Sequence, residues 1–166
     1  MKTPSFVLGC SAIVAIASAP AGAAPPFGSN VCKLVTPAKI ATIPGVSLNC
    51  TKAPATPGPG ATIYTGNWPG TTSSSPHLQL TVAVYTDHGA LQLATRNLKQ
   101  GLPGPPHKVS GIGTAAWAGS GAHSAGVHFA VGTSIAYLTL TGPTTKTPSI
   151  TAVEAIARSI VPLLRG

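Results

Sequence analysis

The most regular hydrophobic pattern in the chain is the alternation over 78–86, L-Q-L-T-V-A-V-Y-T. Leucine or valine occupies every second position up to Val84, which is typical of a strand that buries one face. Four further strands are predicted at 62–68, 114–118, 127–131 and 134–141. Gly132-Thr133 joins the last two as a tight hairpin. Because such strands bury one face and leave the other less covered, we expect an antiparallel sheet.

Helical spacing of apolar residues, with capping residues beside it, predicts three helices. Thr36 followed by Pro37 is typical of a helix start, and it predicts a short first helix. Asp87 caps a second helix over 89–100, after which Gly101 marks the end. Both predictions have the same physical reason, which is that the first N–H groups of a helix have no partner within it. Threonine and aspartate side chains accept hydrogen bonds from these groups, and proline has no N–H to leave unpaired.

The third predicted helix lies at the end of the chain. Thr151 and Glu154 have the spacing of a capping box, and Pro162 ends or kinks the helix. Its buried stripe is formed by Val153, Ile156 and Ile160. The order of elements therefore predicts an α+β fold, a single antiparallel sheet of about five strands with helices packed on one face.

The first residues have the composition of a secretory signal peptide. Lys2 supplies the positive charge, 6–17 the apolar segment and 21–23 an A-x-A cleavage site. We expect a signal peptide over 1–23 and a single secreted α+β domain over 24–166. The apolar segment is shorter than a membrane span requires, and no later segment is longer, so no transmembrane segment is expected in the mature chain.

Removal of the signal peptide also removes Cys10 and leaves Cys32 and Cys50. The run 7–10, V-L-G-C, is similar to a lipobox, but it lies inside the apolar segment, whereas a lipidated cysteine follows that segment. Lipidation of Cys10 is therefore disfavoured and stays open. An even pair of cysteines in an exported chain predicts a Cys32–Cys50 disulfide. The alternatives, a zinc site or a redox pair, need further ligands or a C-x-x-C spacing that the sequence does not provide.

The charge balance predicts which partners the surface attracts. Lysine and arginine number 10 against 2 acidic residues, a formal net charge of +8, from which Lys2 is lost with the signal peptide. Outside a cell such a surface attracts an anionic envelope polymer or lipid, and a protein partner is a further possibility. The basic residues are scattered and lack interleaved aromatic residues, so nucleic acid is not an expected partner.

The acidic residues also limit the chemistry. Asp87 and Glu154 are the only two, and each lies where a helix start needs a cap. Paired-carboxylate catalysis, as in glycosidases and aspartic proteases, is therefore excluded. We expect no catalytic residue, and the sequence also indicates no cofactor.

Two motifs are similar to those of enzymes but lack the required context. The run 122–126, A-H-S-A-G, is similar to a nucleophile elbow, which needs a helix after the serine and a later histidine. Here a strand is predicted to follow, and no histidine occurs after His128, so a hydrolase is the least favoured function. The run 111–116, G-I-G-T-A-A, fits a dinucleotide-binding fingerprint, but Gly119 and Gly121 disfavour the helix that this motif requires.

Histidine spacing does not indicate a metal site. The five histidines are His77, His88, His107, His123 and His128. On one strand His123 and His128 would point to opposite faces, so they could not bind the same ion without a bend. We therefore expect no metal site and surface positions for these residues.

Four aromatic residues leave two interpretations open. Trp68, Tyr85, Trp117 and Tyr137 combine an apolar ring with a polar group. They either fill the core and its rim or line an apolar cleft beneath the helices. The second interpretation makes the protein a carrier or sensor of an apolar, lipid-like ligand.

Three segments resemble a known family: C-K-L-V-T-P-A-K-I at 32–40, V-S-G-I-G-T-A-A-W at 109–117 and A-I-A-R-S-I at 155–160. They are similar to segments of small secreted proteins and lipoproteins of actinobacteria, of the mycobacterial type. These are related to PsbP-like lipoproteins and to extracellular sensor domains. The chain departs from the family where Thr114 replaces an acidic residue. The resemblance implies a non-enzymatic domain, secreted or associated with the cell envelope, that binds lipid, glycan or protein.

Overall fold

The structure is a computed structural model that describes Pro25 and residues 27–143 and 147–165. The predicted signal peptide and Cys10 lie outside the described residues. Three α-helices are present in the described part: α1 at Pro37–Ile40, α2 at His88–Arg96 and α3 at Ile150–Arg165. A 3-10 helix over Val31–Leu34 precedes α1.

One antiparallel sheet contains all the strands of the described residues. The strands are β1 at Thr51–Lys52, β2 at Thr56–Gly58, β3 at Ala61–Trp68, β4 at His77–Tyr85, β5 at His107–Lys108, β6 at Ala115–Ser120, β7 at Ser124–Val131 and β8 at Ser134–Thr141. Their order across the sheet is β1-β3-β4-β8-β7-β6-β5, with β2 also paired to β3. The mixed α and β composition and the antiparallel sheet confirm the coarse prediction.

The sheet is larger than predicted, because it has 8 strands and not about five. The five long strands are those that alternation predicted, with small shifts at their ends. The additional strands β1, β2 and β5 contain only two or three residues each. Such segments are too short to show alternation, and they become strands only because a neighbouring long strand pairs with them.

The first face of the sheet carries the main core. Leu78, Leu80 and Val82 of β4 are fully buried there, as their alternation predicted. Helix α3 packs on this face through Val153, Ile156 and Ile160. The residues around the 3-10 helix and α1 cover the remainder of this face. Its burial therefore follows from the apolar periodicity of the strands and of α3.

The second face is also covered by a helix, so the prediction that helices pack on one face was wrong. Leu98, just after α2, forms a separate buried cluster with Ala130 and Ile135. Those two residues belong to the second face of β7 and β8, where they are paired in register. Because this face is apolar at Ala130 and Ile135, burying it is favourable, and α2 with the residues that follow it buries this surface.

The ends of α3 also differ from the prediction. Ser149 caps the helix, since its Oγ accepts a hydrogen bond from the backbone N–H of Ala152 at 3.3 Å. The expected capping residue Thr151 lies inside the helix, and Glu154 instead accepts a hydrogen bond from Arg158. Pro162 lies within the last turns, and the helix continues to Arg165.

The Cys32–Cys50 disulfide is present, with Cα atoms 5.8 Å apart. It joins the 3-10 helix to the residue before β1 and so attaches the N-terminal segment to the sheet edge. No helix in the described ranges has the length and apolar character needed to cross a membrane.

Candidate functional site

A row of aromatic side chains crosses the second face of the sheet. Trp117 of β6 pairs in register with His128 of β7, and His128 pairs with Tyr137 of β8. Directly paired residues of antiparallel strands project from the same face, so these three side chains are neighbours. We call them the aromatic row. Thr81 of β4 and Thr65 of β3 continue it, with their Oγ1 atoms 3.3 Å apart.

His128 is the most buried member of the aromatic row, with 6% of its surface exposed, so the expected surface position was wrong for this histidine. Its Nδ1 lies 2.8 Å from the carbonyl oxygen of Leu98. A carbonyl oxygen can only accept, so Nδ1 carries the proton and Nε2 of the neutral ring does not. The Tyr137 ring packs edge-on against the imidazole at 4.8 Å between centroids. Burial lowers the pKa of His128, and its hydrogen bond to Leu98 only partly offsets this.

Tyr137 has a pKa above its ordinary range. Burial is the largest cause, and the neighbouring Tyr85 adds a repulsive charge interaction and a hydrogen bond that favours the neutral phenol. At neutral pH the aromatic row is therefore uncharged. It presents rings and hydroxyl groups, which suit stacking and hydrogen bonding rather than proton transfer.

The structure brings together three of the four aromatic residues proposed as a cleft. Tyr85, Trp117 and Tyr137 are partly buried around Leu98 on the second face. Trp68, in contrast, packs in the main core of the first face and is 2% exposed. Trp68 also lines a shallow surface depression of about 610 Å³, together with residues from 67–73, Ser75 and His77. The four residues therefore do not line one common cleft.

A polar area adjoins the aromatic row and was not predicted as a site. Thr65, Asn67, Gln79, Thr81 and Thr139 form it, on β3, β4 and β8. The amide of Gln79 donates a hydrogen bond to Asn67 Oδ1 at 2.8 Å. These side chains are half-buried or exposed. The polar residues that alternate with leucine and valine in 78–86 were the sequence feature that could have indicated this area.

The acidic residues are already engaged. Asp87 Oδ1 accepts a hydrogen bond from the backbone N–H of Ala90 and so caps α2. Glu154 lies 3.1 Å from Arg158 Nη2 and 3.8 Å from His107 Nε2. Within the described part of the chain, seven basic residues form no ion pair: Lys33, Lys39, Lys52, Arg96, Lys99, Lys108 and Arg165. The positive charge of the surface is thus largely uncompensated.

Three of these basic residues are connected to the aromatic row by strand pairing or by their position in the chain. Lys108 of β5 pairs in register with Trp117, at the end of the row. Lys99 directly follows Leu98, whose carbonyl oxygen holds His128. Arg96 ends α2 one turn earlier. All three side chains are exposed, and we call these residues the basic border.

The Gly-Ile-Gly motif forms a turn, as predicted, and leads into β6. Gly111 and Gly113 have positive φ angles, and Ile112 between them is buried. Thr114 donates hydrogen bonds to the carbonyl oxygen of Ala130, from its N–H at 2.8 Å and from Oγ1 at 3.2 Å. An ionised carboxylate at this position could not donate the second bond.

The other candidate motif also lies in a strand context. Ser124 begins β7, and His123 is exposed in the turn before it. A helix does not follow the serine, so the local geometry differs from a nucleophile elbow. No group of three or more His, Cys, Asp or Glu side chains suited to a metal ion occurs among the described residues.

The chain matches no protein-family model, curated protein or solved structure to which we compared it. The three short segments that resemble actinobacterial secreted proteins therefore do not by themselves identify a family. Functional inference depends on the geometry and charge of the described surface.

Proposed function

We propose that the protein is a non-enzymatic, extracytoplasmic domain that binds an anionic component of the cell envelope. The observation that carries this proposal is the imbalance of charge. Both acidic side chains are engaged in a helix cap or an ion pair, whereas seven basic side chains form no ion pair within the described ranges. Such a surface raises the local concentration of anionic partners and gives binding that weakens as salt screens it.

The second face of the sheet is the proposed contact surface. Its basic border, Arg96, Lys99 and Lys108, supplies charge next to the aromatic row and the polar area. Phosphate or carboxylate groups would meet the basic side chains, and hydroxyl groups of a polymer would meet amides and phenols. The disulfide is compatible with an oxidising, extracytoplasmic location.

A sedimentation experiment tests this proposal. The protein is mixed with phosphatidylglycerol vesicles, with neutral vesicles or with soluble poly(glycerol phosphate), at low and high salt. We expect binding to the anionic partners only, lost as salt rises. Absence of binding, or binding unaffected by salt, would contradict the proposal, and the two anionic arms separate lipid from polymer.

Matched variants locate the surface. A basic side chain near an anionic surface contributes about 1 kcal/mol, so replacing Arg96, Lys99 and Lys108 with glutamine should weaken binding roughly 100-fold. The control replaces Lys33, Lys52 and Arg165 with glutamine, which changes the net charge equally. Equal losses in the two variants would show that total charge, and not this face, determines binding.

The alternative function, a carrier or sensor of an apolar ligand in an aromatic cleft, has less support. It requires the four aromatic rings to share one cavity, whereas Trp68 packs on the face opposite Tyr85, Trp117 and Tyr137. The three remaining rings surround Leu98, which already occupies the space between the sheet and α2.

A further inference from the structure

A separate apolar cavity of about 180 Å³ lies at one end of the sheet. It is enclosed by the turn after α1, the start of β4, the end of β8 and the start of α3. Its apolar walls are Ile43, Leu140 and Ala152 together with Pro44, Pro76, Pro143 and Pro148. None of the four aromatic residues considered above contributes to it.

Prolines form much of the cavity wall. Proline has a fixed φ angle and a closed ring, so four prolines cannot collapse into the space by rotating a side chain. Leu140 is 2% exposed and Ile43 is 6% exposed, so both are held by the core behind them. Proline side chains lose almost no conformational entropy when a ligand packs against them, which reduces the entropy cost of binding.

Two hydroxyl groups of the lining each form a hydrogen bond within the protein. Thr42 Oγ1 donates to the carbonyl oxygen of Lys39 at 2.7 Å, and Ser149 Oγ accepts from the N–H of Ala152. In the described part of the chain no buried side-chain nitrogen or oxygen lacks a partner. Among the described residues, the side chains that line the cavity are uncharged. Because most of the described lining is apolar, an apolar group gains the most contact there.

The volume limits that group to one ring. A cavity of about 150 Å³ lined by aliphatic and aromatic side chains holds benzene, so this one accommodates a six-membered ring with one or two added carbons. Proline rings present C–H groups, which pack favourably against the negative face of an aromatic ring. We propose that this cavity binds a small aromatic compound with a single apolar ring.

A free compound fits this cavity better than a side chain of a partner protein. Protein contacts bury their central side chain within a surrounding ring of contacts that excludes water. The exposed large hydrophobic residues of the described chain are Leu48, Leu93 and Leu163, and none of them lines the cavity. The described part of the rim therefore carries no large exposed hydrophobic side chain around which a protein contact would be centred. This proposal is independent of the anionic surface on the second face.

Methyl NMR of the whole chain tests the proposal, with toluene as the probe. We expect saturable shifts of the Ile43, Leu140 and Ala152 methyl groups, and weaker binding of methylcyclohexane. Absence of saturable shifts would overturn the cavity as a site. Equal binding of the two probes would overturn the preference for an aromatic ring. Tighter capture of a peptide bearing tryptophan would overturn the choice of a free compound.

A filling variant supplies the control. Ala152→Phe places a ring in the cavity and should weaken toluene binding by about tenfold or more, and Ala152→Leu should have a smaller effect in the same direction. Ala155→Phe adds the same ring on the exposed face of α3 and should leave binding unchanged. Equal binding by Ala152→Phe, Ala152→Leu and Ala155→Phe would overturn the proposal.

Discussion

His128 donates a hydrogen bond from Nδ1 to the carbonyl oxygen of Leu98 at 2.8 Å, although 30 residues separate them in the chain. The bond joins the middle of β7 to the turn that follows α2. It satisfies a backbone carbonyl oxygen of that turn, whereas burial keeps the imidazole neutral. The His128 side chain thus links the segment that covers the second face to the sheet beneath it.

This coupling predicts a stability that depends on pH. Burial lowers the pKa of folded His128 below its ordinary value of 6.5, which the unfolded chain retains. Below that value the unfolded state binds the proton more readily, so stability should fall as the pH decreases toward the folded-state pKa and stay level above 6.5. Urea unfolding between about pH 7.5 and pH 5 measures the change in the free energy of unfolding.

Two variants test whether His128 causes the pH dependence of stability. His128→Gln should cost about 1 kcal/mol at neutral pH and reduce the slope with pH, because glutamine does not titrate. His123→Gln, at an exposed position, should keep the slope of the natural chain. A slope that is unchanged in His128→Gln would disprove the assignment.

The glycine turn before β6 predicts a contrast between two neighbouring substitutions. A Cβ atom at Gly113 would overlap the carbonyl oxygen of Ala130, which two hydrogen bonds from Thr114 hold in place. At Gly111 a Cβ atom would meet nothing within 4 Å. Both glycines have positive φ, so Gly111→Ala should cost about 1 kcal/mol from the backbone alone, whereas Gly113→Ala should cost about 3 kcal/mol or more. Equal urea midpoints for the two variants would contradict this account.

The disulfide should contribute measurably to stability. Cys32 and Cys50 are 18 residues apart, so loss of the cross-link should lower the free energy of unfolding by about 3 kcal/mol in the chain-entropy model. We expect this change both on reduction and in the Cys32→Ser/Cys50→Ser variant. A reductant should have no effect on the double variant, which controls for other actions of the reagent.

The cap of α2 provides a local prediction. Asp87→Ala removes the acceptor for the Ala90 N–H and should cost about 1 kcal/mol, whereas Asp87→Asn keeps an acceptor and should cost less. Hydrogen exchange should increase in the first turn of α2 for Asp87→Ala. Exchange that increases equally in both variants would indicate that the charge of Asp87, and not its cap, stabilises the helix.

Local patterns predicted the long strands because a strand with one buried face must alternate. Leu78, Leu80 and Val82 are buried as expected. The same reasoning did not predict that α2 packs on the second face. That packing depends on Ala130 and Ile135 lying together on one face of the sheet, and alternation within a single strand does not show this. Local reasoning also misplaced the α3 cap, since Ser149 and Thr151 are both acceptable capping residues and local sequence does not distinguish them.

Within the candidate site, the sequence identified the aromatic residues but not their grouping. The pairing of Trp117 with His128 and of His128 with Tyr137 depends on the register of three strands. The register between strands is selected by how whole faces of the sheet pack, so it cannot be predicted from the identities of single residues. The same packing places Trp68 on the other face.

The sequence by itself determined the main strands and helices, the pairing of Cys32 with Cys50 and the excess of positive charge, since each depends on neighbouring residues or on counting. Only the tertiary structure decided which face each helix covers and which side chains meet. The apolar cavity is the clearest case, because Pro44, Pro76 and Pro148 come from three distant segments. Their proximity results from long-range packing, which local periodicity does not encode.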